Sequence, residues 1–297
     1  MIKDDFILSH STRIGFLGLG IMGTPLVEKL IKEGYNITVY NRTSDKSKKL
    51  KEKYPQIEIA ESIKHLAENS QMIFLLISDD KACREVLLHY PGNLSDYLKQ
   101  NQTLINLSTI SPELSMRLDA ELVCSYLEAP LVGSKIPAEN GELVILTGGY
   151  RYIYEALEPI WQIWAKKTYY LGDVGTASRF KIVNNLIMSL SLLSLSEGMA
   201  LADTMNLDMN ILLDLFDHSV IASPLVQLKG DAIKNKNFEV NFPLKHAQKD
   251  IQYALRMAEF AKLSLPAASI ANEIYKKELS NGSAEEDFSA VSKYYQK

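Results

Sequence analysis

Residues 14–23 read IGFLGLGIMG. The first half is apolar and suited to a buried strand. The second half is punctuated by Gly18, Gly20 and Gly23, which form G-x-G-x-x-G. From Leu26 to Lys32 the apolar residues then recur at helical spacing. A strand that ends in glycines and runs into a helix is a phosphate-binding turn. Gly18 permits the tight turn, Gly20 lets the backbone approach a pyrophosphate, and Gly23 lets helix and strand pack closely. The helix N-terminus adds N–H groups and a dipole that favour an anion. The glycine spacing alone is weak evidence; the strand–turn–helix context gives it force.

Working outward, the same alternation continues. NITVYN from Asn36, QMIFLLIS from Gln71 and TLINLS from Thr103 are strand-like, and YLEAP, LVILTGG and TYYLG follow. Continuous apolar runs fit strands buried on both faces of a parallel sheet. Strands alternating with amphipathic segments predict an α/β doubly wound (Rossmann) domain over residues 12–174. After Gly175 the pattern changes. TASRFKIVNNLIMSLSLLSLSEGMALADTMNL has no proline and no strand break. It predicts one helix of about 30 residues and roughly 45 Å. Asp208–Asp217, Pro224–Lys234, Pro243–Lys262 and Leu265–Leu279 also carry helical spacing. Residues 175–297 are therefore expected to be all-α, joined to the first domain by the long helix.

Composition bounds the rest. The chain has 297 residues, 46% hydrophobic and 23% charged, a globular balance. A net charge of -4 argues against a general nucleic-acid binder. Cys83 and Cys124 are too few for a disulfide framework and fit a reducing compartment. The N-terminus, MIKDDFILSHS, has acids where a signal peptide needs cations; its first ten or so residues are expected to be a tail. No stretch offers the roughly 18 consecutive apolar residues of a membrane span. The expectation is a cytoplasmic protein with a small-molecule substrate and neither membrane nor nucleic-acid partners. The five histidines, His10, His65, His89, His218 and His246, lack ligand spacing, so no metal site is expected. Asp79 and Asp80 follow a strand and fit a helix cap.

The second strand ends in Tyr40-Asn41-Arg42-Thr43. A site for NAD has an acid there, about 20 residues after the glycines, to hold the ribose 2′-OH. A guanidinium instead makes charge-assisted bonds to a 2′-phosphate. Arg42 therefore points to NADP(H). Thr43 can add a hydroxyl, and Lys46 can reach from the next turn.

Four segments together resemble the β-hydroxyacid dehydrogenase family related to 3-hydroxyisobutyrate dehydrogenase, and within it the glyoxylate/succinic semialdehyde reductases. They are GFLGLGIMG (Gly15–Gly23), EAPLVGSKIPAENGELVIL (Glu128–Leu146), GDVGTASRFKIVNN (Gly172–Asn185) and FPLKHAQKD (Phe242–Asp250). The resemblance implies reduction of small aldehyde acids to hydroxy acids, and dimers or tetramers. It implies that Lys181 is the catalytic lysine and Asn185 its support. It places Ile21, Met22, Asn41, Thr109 and Lys249 with the cofactor, and Phe242 and Asp250 at the substrate. The chemistry agrees. Hydride addition to an aldehyde leaves an alkoxide, and an ammonium supplies both a proton and a stabilising charge. Lys181 and Asn185, at i and i+4, share a helix face. Lys181 also sits among apolar Phe180, Ile182 and Val183, where the other role open to it is to snorkel toward water.

The substrate loop departs from the resemblance. The family pattern is A-P-V-S-G, and here Val132 stands at the serine. Losing one hydrogen bond to a charged group costs roughly 1.5–3 kcal/mol. Gly133 and Ser134 remain to grip a carboxylate. The alternatives are a bulkier or less polar substrate, such as another 3-hydroxy acid or an imine, and a non-catalytic nucleotide-binding scaffold, the fate of relatives that have lost the lysine. The length and apolarity of the helix after Gly175 predict an oligomer.

Overall fold

The structure is a computed structural model, and it describes residues 8–88 and 92–295. Most of the expected N-terminal tail and His89 lie outside the described residues. The end of that tail is not loose: Leu8 packs on the core, and the His10 ring lies 4.9 Å from Tyr35. The chain divides into two compact units, one ending at Lys181 and the other beginning at Ile182.

In the first unit the order is β1 (Arg13–Leu17), α1 (Gly23–Lys32), β2 (Asn36–Tyr40), α2 (Ser44–Lys53), β3 (Glu58–Ile59), α3 (Ile63–Asn69), β4 (Met72–Leu75), α4 (Asp80–Leu87) and α5 (Leu94–Tyr97). It continues with β5 (Thr103–Asn106), α6 (Pro112–Glu121), β6 (Ser125–Glu128), β7 (Leu131–Val132), α7 (Lys135–Asn140), β8 (Leu143–Gly149), α8 (Arg151–Ala156), α9 (Glu158–Trp164) and β9 (Ala165–Tyr170). The sheet runs β3-β2-β1-β4-β5-β6-β8-β7, with β9 paired to β8. Strands β1 to β6 pair in parallel. This is the doubly wound arrangement, with its reversal of strand order beside β1. The sheet is mixed at its far end: β8 lies antiparallel to β6 and β7.

Both faces of the central strands are buried, which explains their unbroken apolar runs. Ile14, Phe16, Met72 and Phe74 enter one core, while Leu17, Ile73 and Leu75 enter the other. Trp164 packs edge-on to Phe16 and Phe74 in the first core. Its indole N–H donates to the carbonyl of Leu26 at 3.0 Å, so a large aromatic is buried without an orphaned donor. Cys83 and Cys124 are buried in the second core and are not joined in a disulfide.

The long helix is α10 (Thr176–Thr204), 29 residues. The second unit adds α11 (Met209–Asp217), α12 (Pro224–Lys234), α13 (Leu244–Phe260) and α14 (Pro266–Ser280). Asp208 and Ser223 cap α11 and α12 with their side chains, so the polar residue before each apolar run is the true start signal. Two 3₁₀ segments, Ser283–Glu285 and Phe288–Tyr295, close the chain. They escape a search for 3.6-residue spacing, because i,i+3 turns are too short to show it. Leu192, Met199, Leu244, Ile251, Tyr275 and Phe288 form the core of this unit. By length and composition α10 could cross a bilayer. Its buried face nevertheless carries Ser178, Lys181, Asn185, Ser189 and Ser196, the pattern of a core helix with a polar stripe.

Candidate active site

The glycine turn separates its three glycines by what surrounds them. Gly18 has φ +110°, and a Cβ there would meet the carbonyl oxygen of Leu76 at 2.0 Å. A Cβ on Gly23 would meet the carbonyl oxygen of Gly18, also at 2.0 Å. These two are fixed by backbone packing. Gly20 differs: nothing lies within 4 Å of the Cβ it lacks. The bare backbone of Gly20 faces open space, as a turn that admits a pyrophosphate requires. Ile21 and Met22 complete the turn, and Met22 is the N-cap of α1 without a side-chain bond. No acid occupies the first turn of α1, so nothing there opposes an anion.

Asn41 braces this turn. Its amide oxygen accepts from the N–H of Leu19 at 2.8 Å, and its NH₂ donates to the carbonyl of Thr43 at 2.8 Å. It thereby ties the glycine turn to the segment carrying Arg42. Arg42, Thr43 and Lys46 are exposed. Thr43 precedes α2 and makes no capping bond, which leaves its hydroxyl available. Thr109 is half-buried in the loop after β5. The glycine turn, Asn41–Thr43 and Thr109 thus all follow the C-terminal ends of parallel strands, where ligands bind in open α/β sheets. Asp79 caps α4 through the N–H of Ala82 at 2.8 Å. Asp80 accepts from the N–H and hydroxyl of Ser111, at 2.8 and 2.6 Å.

In the substrate loop, Val132 pairs with Val144 in the β7–β8 ladder and is half-buried. Gly133 has φ +136°, and a Cβ there would strike Leu143 at 2.6 Å. Ser134 precedes α7 but its side chain makes no capping bond.

Lys181 is 5% exposed on α10, and its neighbours Phe180 and Val183 point outward. Asn185 follows on the same face. In the second unit Asn185 is gripped: its NH₂ donates to Asp250 Oδ2 at 2.6 Å, and its amide oxygen accepts from Asn184 at 3.1 Å. Lys249 Nζ lies 3.2 Å from Asp250 Oδ1, a charge contact without hydrogen-bond geometry, and 5.1 Å from the Tyr253 ring centroid. Asp250 is buried, with Asn185 on one oxygen and Lys249 beside the other, so it acts as a brace. Phe242 is half-buried, edge-on to Phe288 at 5.5 Å and 6.2 Å from the His246 ring. Among the described residues no group of three or more His, Cys, Asp or Glu is placed to hold a metal ion.

Two buried carboxylates escaped the sequence. Glu128, at the end of β6, accepts from the N–H groups of Gly175, just before α10, and of Ala177 in its first turn. Asp287 accepts from the N–H of Phe242 at 3.2 Å and from Lys229 Nζ at 2.7 Å. The one local signal was Glu128 itself, an acid closing the apolar strand Tyr126-Leu127.

Comparison with known proteins agrees with this geometry. Residues 13–172 match the family described as the NAD binding domain of 6-phosphogluconate dehydrogenase. Residues 175–295 match the one described as NAD-binding of NADP-dependent 3-hydroxyisobutyrate dehydrogenase. The chain is 36% identical to glyoxylate/succinic semialdehyde reductase 2, chloroplastic, of Arabidopsis thaliana, over 94% of this chain and 78% of that one. It is 34% identical to the cytokine-like nuclear factor N-PAC of Drosophila melanogaster, over 98% of this chain but 48% of the relative, so it spans about half of that protein. The crystal structure of 3-hydroxyisobutyrate dehydrogenase from Salmonella typhimurium superposes with a TM-score of 0.85 at 22% identity, covering 95% and 99% of the two chains. The chain belongs to the β-hydroxyacid dehydrogenase family related to 3-hydroxyisobutyrate dehydrogenase. It is an NADP-dependent oxidoreductase of the class that acts on CH–OH groups, and the open turn at Gly20 fits that cofactor.

Proposed function

We propose that the protein is an NADPH-dependent reductase of small aldehyde acids, of the glyoxylate or succinic semialdehyde kind, giving hydroxy acids. The observation that carries this is Lys181, a lysine 5% exposed on the α10 face that also bears Asn185. A charge in that position is costly unless it is paired or put to use, and the resemblance favours use. When bound, the nicotinamide of NADPH would supply the hydride. Lys181 donates a proton from Nζ to the carbonyl oxygen and stabilises the negative charge that develops there. Asn185, held by Asp250, keeps its own side chain fixed on that face. Arg42 selects the 2′-phosphate, with Thr43 and Lys46 beside it. Lys249 and Thr109 contribute further cofactor contacts, and Phe242, Gly133 and Ser134 contact substrate.

Val132 favours a second reading, in which the same chemistry serves a bulkier or less polar 3-hydroxy acid or an imine. The N-PAC likeness raises a third, a nucleotide-binding scaffold, against which Lys181 weighs. We further propose a homodimer or homotetramer, because Phe180, Val183 and Ile187 expose an apolar stripe along α10, and a cytoplasmic location, which the two-cysteine composition suits.

The test is NADPH consumption with glyoxylate and with succinic semialdehyde. Lys181→Ala should lower kcat by about 10²–10⁴-fold, the usual worth of a general acid. Full activity in that variant would end the proposed mechanism. Arg42→Ala should lower kcat/KM with NADPH by roughly ten- to a hundredfold, the loss of a charge-assisted contact, and leave NADH nearly unchanged. Turnover by Val132→Ser alone, and not by the parent, would decide for the second reading.

A further inference from the structure

The long helix that carries Lys181 begins without a cap of its own. Gly175, just before it, has φ +94° and no side chain to offer. A helix start leaves several N–H groups without partners. Here they are met by a residue far off in sequence. Glu128 Oε1 accepts from the N–H groups of Gly175 at 2.7 Å, Ala177 at 2.9 Å and Ser178 at 3.4 Å. Oε2 accepts from the hydroxyls of Ser178 and Ser115, each at 2.6 Å. Ser115 also meets the Tyr126 hydroxyl at 3.0 Å, to which Asn106 donates at 3.2 Å. The carboxylate is 1% exposed, and its place is shaped by an absence: a Cβ on Gly148 would lie 2.7 Å from Oε1. Strands β5 and β6, helix α6 and the start of α10 are thus pinned to one side chain.

We propose that Glu128 is a positioning residue for the reaction: it fixes the first turn of α10 on the sheet, and so sets where Lys181 stands. Lys181 lies three residues beyond Ser178, on the same helix face. A helix advances 1.5 Å per residue. Slippage of the cap by a fraction of a turn therefore moves the ammonium by an ångström or more, and a misplacement of about 1 Å can cost about 10²-fold in rate. This role is one of geometry rather than of proton transfer. It rests on Lys181 being the general acid.

The test compares Glu128→Gln, nearly isosteric, with the parent protein in NADPH-dependent turnover. The expected result is a kcat lower by at least about tenfold, with KM for NADPH within about twofold. Amide hydrogen exchange of the peptide spanning Gly175–Lys181 should quicken, while peptides from β1 and β4 keep their protection. An unchanged kcat would overturn the proposal. So would a kcat that falls together with NADPH affinity while exchange quickens throughout the unit, since that is general damage. If Glu128→Gln does not fold, Ser178→Ala and Ser115→Ala take its place. Ser178→Ala, which removes the one side-chain bond between Glu128 and the helix while leaving the backbone N–H bonds, should lower kcat more than Ser115→Ala, and the reverse order would overturn the proposal. Lys181→Ala is measured alongside. If it is inactive while Glu128→Gln is fully active, the positioning role alone fails. If it stays active, the general-acid reading fails and takes the positioning role with it.

Discussion

Glu128 in the first unit and Asp287 in the second are each 1% exposed, and each accepts five hydrogen bonds. Each also holds the backbone of a segment that leads into residues proposed for the site. Glu128 takes the start of α10; Asp287 takes the N–H groups of Asn241 and Phe242. The difference lies in the donors. Those of Glu128 are three amides and two hydroxyls. Those of Asp287 are three amides, the Ser289 hydroxyl and the Lys229 ammonium, which also sits 4.9 Å from the Phe288 ring centroid. Burial pushes both carboxyls up. For Glu128 burial prevails over the hydroxyls and amides, and the group stays above its ordinary range. For Asp287 the Lys229 ammonium and the Ser289 bonds outweigh burial, and the group falls below it. The same count of bonds thus leaves two acids shifted in opposite directions. Burial weighs more on Glu128, and the Lys229 ammonium, which has no counterpart beside Glu128, helps to bring Asp287 down.

The largest effect should come from breaking the charged cluster. Lys229→Met leaves Asp287 buried without its ammonium. Removing one partner of a buried pair costs about 3–5 kcal/mol. Glu128→Gln keeps the shape and an acceptor oxygen, and should cost about 1–3 kcal/mol. Urea unfolding of both variants measures the order directly. A greater loss for Glu128→Gln would mean that the amide cradle is the stronger clamp, and would break the comparison.

The opposite shifts make a second prediction, in pH. Asp287 has a depressed folded value, so its contribution is present above the ordinary value of 3.8 and is lost as pH falls through the lower folded one. Glu128 has a raised folded value. Its contribution is present below the ordinary value of 4.5 and is lost as pH rises through the higher folded one. The stability gap between parent and Asp287→Asn should therefore shrink on acidification. The gap between parent and Glu128→Gln should shrink as pH rises. Unfolding curves between pH 3 and 7 check both, and parallel trends would refute the assignment of opposite shifts.

The comparison also marks where the sequence stops informing. Gly18, Gly20 and Gly23 were legible because the turn, strand and helix they serve are contiguous. That Lys181 and Asn185 share one face of α10 was legible because one helix repeat relates them; the roles proposed for them came from the resemblance. The role proposed for Arg42 was read from the missing acid at the end of β2. The partners of Glu128 at the start of α10 and just before it lie 47 to 50 residues away, and Asp287 meets Lys229 across 58. No local pattern records such pairings. Asp287 is further hidden in the run Glu285-Glu286-Asp287, which has the composition of a solvated turn. The Asn185–Asp250 bond, across 65 residues, was likewise invisible, although both residues had been singled out through the resemblance.

The smallest effect sharpens the comparison most, because it removes one hydroxyl from each cluster. Ser289→Ala deletes one bond to Asp287, but the Ser289 N–H and the Lys229 ammonium remain on the same oxygen. That loss should be near 0.5 kcal/mol, the low end for a hydrogen bond. Ser115→Ala deletes a bond to Glu128 and also takes a partner from the buried Tyr126 hydroxyl. Leaving a buried hydroxyl poorly satisfied adds to the cost, so the loss should be about 1–2 kcal/mol. Both alanines keep the backbone N–H groups, and both sites are buried, so packing loss is similar. Denaturant midpoints at pH 7 resolve a difference of this size. Equal losses would mean that the ammonium does not share the load of its carboxylate, and that the two clusters differ only in where their acids titrate.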